Sequence, residues 1–211
     1  MSLRKYSAIV FDLGNVLIPF DYTIAINKLN QIEQGLGFRF YEHYKSNYSL
    51  HREFEKGRIP ESEFVNKMLE VVNHKIDADT FCRLYADIFS LNEDVVSLLP
   101  VLKRNYKLFL LSNTDSIHKK YGWEKYGFLK YFNKLILSFE VGSVKPEEKI
   151  YRTVEKASGL SSEEHLFIDD IQDYVDGAKN IGWDAVQFVN YKKLICDLKE
   201  RNILKYNRLD D

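Results

Sequence analysis

The 211-residue chain is poor in several things that would narrow its class. It has two cysteines, Cys82 and Cys196, isolated and in no CxxC pair, so a reducing, cytoplasmic setting is expected. Four prolines leave no Pro-rich linker. No apolar run approaches the ~18 residues of a membrane span, and nothing ahead of Asp12 is apolar for long enough to be a secretory signal. Neither charge is in excess. The 30 Lys and Arg against 31 Asp and Glu, a net charge of −1, give no expectation of nucleic acid or a membrane surface as partner. Oligomeric state is left open. His43, His74, His118 and His165 have no metal-ligand spacing with another His or Cys and read as surface or core residues. There is no internal repeat.

Aromatic residues are abundant, with 14 Tyr, 14 Phe and 2 Trp. The length supports one sizeable core, or a core with a smaller satellite domain. Short apolar runs at 7–13, 107–112, 134–138, 165–169 and 185–189 predict strands. Several are continuous rather than alternating, as in strands buried on both faces. Helical patterns lie between them at 93–105, at 146–158 with Pro146 in the first turn and Gly159 past the end, and at 173–181 before Gly182. The tail 197–211 predicts a packed final helix and a frayed end. Alternating strand and helix implies an α/β fold, a Rossmann-like doubly wound parallel sheet. One stretch breaks the alternation. From 18 to 89 only helical patterns occur, at 22–34, 38–47, 61–72 and 79–89. The expected division is therefore a core of 1–17 and 90–211 with an all-helical cap of 18–89, a lid over the carboxyl ends of the strands.

Four polar clusters sit where strands should end. The first strand stops at Asp12, and Gly14 lets the backbone turn sharply there. A carboxylate held in line with its target can attack phosphorus or carbon; alone, it is as well read as a helix cap. Ser112-Asn113-Thr114 follows the second strand, as anion-holding groups or as an ordinary cap. Lys145-Pro146 precedes a helix, as a charge for a phosphate or a solvated surface lysine. Asp169-Asp170, with Asp173 nearby, follows a core strand. Adjacent buried carboxylates repel, so a cation is expected, and oxygen-only ligands suit magnesium.

Together, Phe11-Asp12-Leu13-Gly14-Asn15-Val16, Leu110-Leu111-Ser112-Asn113-Thr114, Val144-Lys145-Pro146-Glu147 and Phe167-Ile168-Asp169-Asp170 resemble the haloacid dehalogenase-like hydrolase superfamily. The first motif is similar to that of the bacterial α-D-glucose-1-phosphate phosphatase group. The resemblance implies a phosphatase for a small-molecule phosphate ester. Asp12 would be the nucleophile and pass through an aspartyl phosphate. Ser112 and Asn113 would hold phosphate oxygens, and Lys145 would stabilise charge. Asp12, the Gly14 carbonyl and Asp169 or Asp170 would hold magnesium. The chain departs from the pattern at Gly14, where such phosphatases usually carry a second aspartate that protonates the leaving group.

General acid–base help is worth ~10²–10⁴-fold. A leaving group that needs less help, such as the anomeric oxygen of a sugar 1-phosphate, would relieve the loss; so would a substitute acid, for which Asp21 is a candidate. The turn 54–60 is placed to reach the site, with Arg58 and His51 as candidates to contact a polar leaving group, against the plain reading of an exposed helix connection. Two alternatives stay open: a dehalogenase using Asp12 on carbon, and a non-catalytic binding protein of the same fold.

Overall fold

The computed structural model describes residues 5–205. Strand β1 (Ala8–Phe11) is followed by five helices: α1 (Tyr22–Ile32), α2 (Leu36–Ser46), α3 (Tyr48–Glu55), α4 (Glu61–Val71) and α5 (Ala78–Ala86). The chain then runs through α6 (Glu93–Leu102), β2 (Lys107–Ser112), a π-helix (His118–Trp123), a 3-10 helix (Gly127–Tyr131), β3 (Lys134–Leu137) and α7 (Ser138–Val141). It ends with α8 (Glu148–Ser158), β4 (His165–Asp169), α9 (Gln172–Asn180), β5 (Asp184–Gln187) and α10 (Tyr191–Glu200).

The five strands are all parallel, in the order β3-β2-β1-β4-β5. Side chains alternate between two cores. Ile9, Phe11, Leu110 and Ile168 face one layer of helices, and Ala8, Val10, Phe109 and Phe167 face the other. Every β1 residue is buried, which explains why the strand is a continuous apolar run in sequence. With β2 and β4 on either side of β1, the first strand and its two neighbours deliver their carboxyl ends to one crevice, where open α/β sheets bind ligands.

Helices α1–α5 carry their own apolar cluster, including Leu29, Phe40, Phe54, Phe64, Met68 and Phe81. The turn after α3 comes close to the sheet-bearing part. Gly57 adopts φ +65, and a Cβ there would lie 2.2 Å from the Phe139 carbonyl oxygen, so only glycine fits this approach.

Several boundaries differ from expectation. β3 ends at Leu137 because Ser138 opens α7, and β5 covers Asp184–Gln187. α8 starts at Glu148, with Pro146 two residues ahead of it. The final helix is Tyr191–Glu200, earlier than expected, and 206–211 of the predicted tail lie outside the described residues. Helix α3 was not among the expected elements. No helix among the described residues is long and apolar enough to cross a membrane.

Candidate active site

Asp12 follows β1 directly, and its N–H donates to the Ile168 carbonyl of β4. That single bond places the carboxyl beside the end of β4. Lys145 is 1% exposed, and its Nζ donates to Asp12 Oδ1 at 2.7 Å and to Asp169 Oδ2 at 2.6 Å. The lysine backbone is fixed by Asn113, whose Oδ1 accepts from the Lys145 N–H at 2.8 Å and whose Nδ2 donates to the Lys145 carbonyl at 3.2 Å. The Asn113 side chain is thus spent on positioning Lys145. Its expected contact with a phosphate falls to its other atoms, and Ser112 remains beside it on the wall of the pocket.

Asp169 has both oxygens committed, one to Lys145 and one to the Ile171 N–H at 2.8 Å. Asp170 is half-buried. Its Oδ2 accepts from Asn15 Nδ2 at 3.0 Å, and Asn15 holds φ +53, a left-handed conformation that asparagine tolerates. Among the described residues, Asp12 Oδ2 and Asp170 Oδ1 accept no hydrogen bond. Asp173 is exposed and does not line the pocket.

The charges do not balance. Three carboxyls, Asp12, Asp169 and Asp170, bring ligand oxygens within 4.8 Å of one another, against one ammonium. Burial pushes the Asp12 carboxyl up, to about 8, although Lys145 pulls the other way. Burial likewise raises Asp170, with Asn15 opposing. For Lys145, burial alone would lower the ammonium, but Asp12 and Asp169 reverse this and hold it above its ordinary value. The lysine is therefore charged, and the site lacks positive charge. An oxygen-lined, acidic cluster with uncommitted oxygens on Asp12 and Asp170 fits a hard divalent cation.

A pocket opens over this cluster. The helical insertion supplies its far wall with Tyr22, Tyr44, Tyr48, Arg52 and Glu55. Arg52 Nη1 donates to Glu55 Oε2 at 2.9 Å, and Nη2 donates to the Tyr174 hydroxyl of α9 at 3.0 Å, crossing the pocket rim. Burial raises the Glu55 carboxyl against the pull of Arg52.

Three candidates do not reach the pocket. The Asp21 carboxylate is exposed and caps α1, accepting from the Thr23 N–H at 2.8 Å. His51 is buried within the insertion, its ring 4.4 Å from that of Tyr44 and 5.2 Å from that of Phe64; burial lowers it to about 4. Arg58 pairs with Glu53 at 3.0 Å in the open. His118 is buried, as a core residue would be, and it also lines the pocket. Arg52 was not singled out from the sequence, and Glu55 entered only as a member of the 54–60 turn.

The haloacid dehalogenase-like hydrolase family matches residues 6–182. A D-ribitol-5-phosphate phosphatase from Bacteroides thetaiotaomicron is 24% identical over 189 residues, 85% of this chain and 90% of that protein. A pyrimidine 5'-nucleotidase from Streptococcus pneumoniae is 23% identical over 198 residues, 87% of this chain and 84% of that protein. The crystal structure of a HAD family enzyme from B. thetaiotaomicron, in a magnesium complex, superposes with a TM-score of 0.78 at 25% identity, covering 90% of this chain and 98% of that one.

Proposed function

The chain belongs to the haloacid dehalogenase-like hydrolases, and on that footing we propose that it is a magnesium-dependent phosphomonoesterase for a small polyhydroxylated metabolite. The observation that carries this is the meeting of Asp12, Lys145, Asp169 and Asp170 at one sheet edge beneath a pocket of mixed polar and apolar lining. Relatives that act on ribitol 5-phosphate and on pyrimidine nucleotides, and a magnesium complex among them, support it.

Asp12 is the nucleophile. Its oxygen attacks phosphorus to give an aspartyl phosphate, which water then cleaves. Lys145 is held against Asp12 before substrate arrives, so its charge is already aimed at the reacting centre and costs no reorganisation. Ser112 and Asn113, at the end of β2, receive phosphate oxygens. Magnesium would be held by Asp12, the Gly14 carbonyl and Asp170, with Asp169 serving by fixing Lys145. It would offset repulsion between the anionic nucleophile and the substrate dianion. The insertion 18–89 acts as the cap. Its Arg52, Glu55 and tyrosine hydroxyls suit the hydroxyl groups of a sugar or polyol, which includes the sugar 1-phosphates suggested by the first motif. The carbon-directed reading gives the uncommitted oxygen of Asp170 no task.

The test is phosphate release from a panel of sugar, polyol and nucleoside phosphates and para-nitrophenyl phosphate, with and without magnesium. Wild type should release phosphate only with magnesium, and Asp12→Asn should lose at least ~10³-fold, the scale of removing a nucleophile from a concerted set. Release that survives Asp12→Asn, or none from any ester by folded magnesium-loaded protein, would overturn the proposal.

A further inference from the structure

The second aspartate expected in such phosphatases is absent, and the Phe20 ring crowds the position above Gly14. A Cβ on Gly14 would lie 3.1 Å from Cε1 of Phe20, whose ring lines the pocket. A substitute acid would have to come from another wall. The π-helix supplies one. Its i→i+5 winding brings residues five apart, His118 and Trp123, toward one side. Both line the pocket. Both carry a buried ring nitrogen with no hydrogen-bond partner, Nε2 of His118 and Nε1 of Trp123. A buried polar atom without a partner is costly, and two on one pocket wall suit completion by a ligand's hydroxyl groups.

His118 is held as a proton carrier is held. It is 7% exposed, and its Nδ1 lies 2.8 Å from Asp115 Oδ2. The other oxygen of Asp115 accepts the His118 backbone N–H at 2.9 Å. The carboxylate therefore fixes both the ring and its tautomer, leaving Nε2 as the working atom. Tyr85 of α5 stacks on the ring at 4.2 Å, with its hydroxyl 3.4 Å from Asp115, and Phe89 meets it edge-on at 5.3 Å. Tyr22 of α1 stands 6.4 Å away, and the Glu55 carboxyl of α3 interacts with it electrostatically. His51 makes the contrast. Its nitrogens are also unpaired, but it has no carboxylate partner and no pocket.

We propose that His118, positioned by Asp115, is the acid–base residue that stands in for the missing aspartate. This rests on the phosphatase reading. In the first step an Asp12 oxygen bonds to phosphorus as the bond from phosphorus to the leaving oxygen breaks. That oxygen keeps the electron pair and takes the proton from Nε2 of the imidazolium. In the second step the neutral imidazole takes a proton from water. The water oxygen bonds to phosphorus as the bond to Asp12 breaks, releasing inorganic phosphate and restoring both carboxylate and imidazolium.

The test compares magnesium-loaded wild type, His118→Gln and Asp115→Asn on para-nitrophenyl phosphate and on the best sugar or polyol phosphate of the panel, by rapid mixing. The aryl leaving group needs no proton, so His118→Gln should give a burst approaching one nitrophenolate per site. Turnover after the burst should be slower by ~10²–10⁴-fold, because dephosphorylation lacks its base. The alkyl ester should show no burst and a comparable loss. Asp115→Asn, which keeps its shape, should give the same burst with a smaller loss. Equal slowing of both esters without a burst, or unchanged rates on both, would overturn the assignment. Failure of wild type on every ester would instead sink the parent reading, and this one with it.

Discussion

The two walls of the pocket are built differently. On the sheet side, Asp12, Asp169 and Asp170 hang from two neighbouring parallel strands, and Lys145 ties two of them together with bonds of 2.7 and 2.6 Å. Its own backbone is clamped by Asn113 from a third strand end. On the cap side, Tyr22, Tyr44, Arg52 and Glu55 come from three separate helices, α1, α2 and α3. Among the polar contacts that cross to the sheet side are Arg52 to Tyr174, Lys56 to Glu147 at 2.8 Å and Ser116 to Glu61 at 2.5 Å. On the proposed reading, bond making falls to the strand ends and substrate choice to the helical insertion, which also packs on Ile117 and Tyr121 of the sheet side.

The largest effect should come from breaking the sheet-side wall at its centre. Lys145→Met leaves Asp12 and Asp169 buried without their common cation. Removing one partner of a buried pair costs about 3–5 kcal/mol, so urea unfolding should show a loss of that order, and turnover should fall with it. A divalent cation that binds the folded state restores stability in proportion to the logarithm of its concentration over Kd. Magnesium should therefore recover more stability in Lys145→Met than it adds to wild type. A stability loss below about 1 kcal/mol would mean that the lysine does not hold this wall together.

That wall was also the legible one, for a physical reason. A strand buried on both faces must be apolar throughout, so β1, β2 and β4 stand out, and the polar residue that ends each run is the one at the crevice. On that ground Asp12, Ser112 and Asp169 became candidates, each alone as well read as a cap, and only the four clusters in order set them apart. The cap wall has no such rule. Helix α3 follows α2 after one residue, and the Asn47 side chain between them donates back to the His43 carbonyl of α2 rather than capping α3, so the start of α3 was missed and Arg52 went unplaced. Asp21 looked free because its capping bond to Thr23 is a local event invisible in a motif. His118 was hidden by its π-helix. On α-helical spacing it and Trp123 point apart, and only the wider winding brings both to the pocket.

A smaller effect, of a different kind, should follow from changing the cap wall. Arg52→Ala removes a bond to Tyr174 and leaves Glu55 without its partner. Hydrogen bonds to charged groups are worth about 1.5–3 kcal/mol, so KM for a sugar or polyol phosphate should rise ~10–100-fold. The chemical step is untouched, and kcat should change much less. Glu55→Gln should shift the preference among hydroxylated substrates in the same KM-dominated manner. If either variant instead lowered kcat with KM unchanged, the division between the two walls would fail.

The smallest effect should come from the contact that fastens cap to sheet, and pH gives its signature. Burial would raise the Glu147 carboxyl, but Lys56, Ser143 and the Val144 N–H outweigh it and bring it down to about 2, from 4.5. A carboxyl depressed on folding stabilises the folded state above its unfolded value. That contribution fades as pH falls through the folded value. The Glu147 side chain is 43% exposed, so solvent screening limits the gain to about 1 kcal/mol or less. Urea unfolding of wild type and Glu147→Gln should therefore differ by up to that amount near neutrality, with the two curves converging as the pH approaches about 2. Salt should narrow the gap at neutral pH, as it does for exposed pairs. A difference that persisted in acid would assign the role of Glu147 to the shape of the turn before α8 rather than to its charge. The cap would then be held by packing around Gly57 and by Arg52, with Lys56 free to turn to solvent.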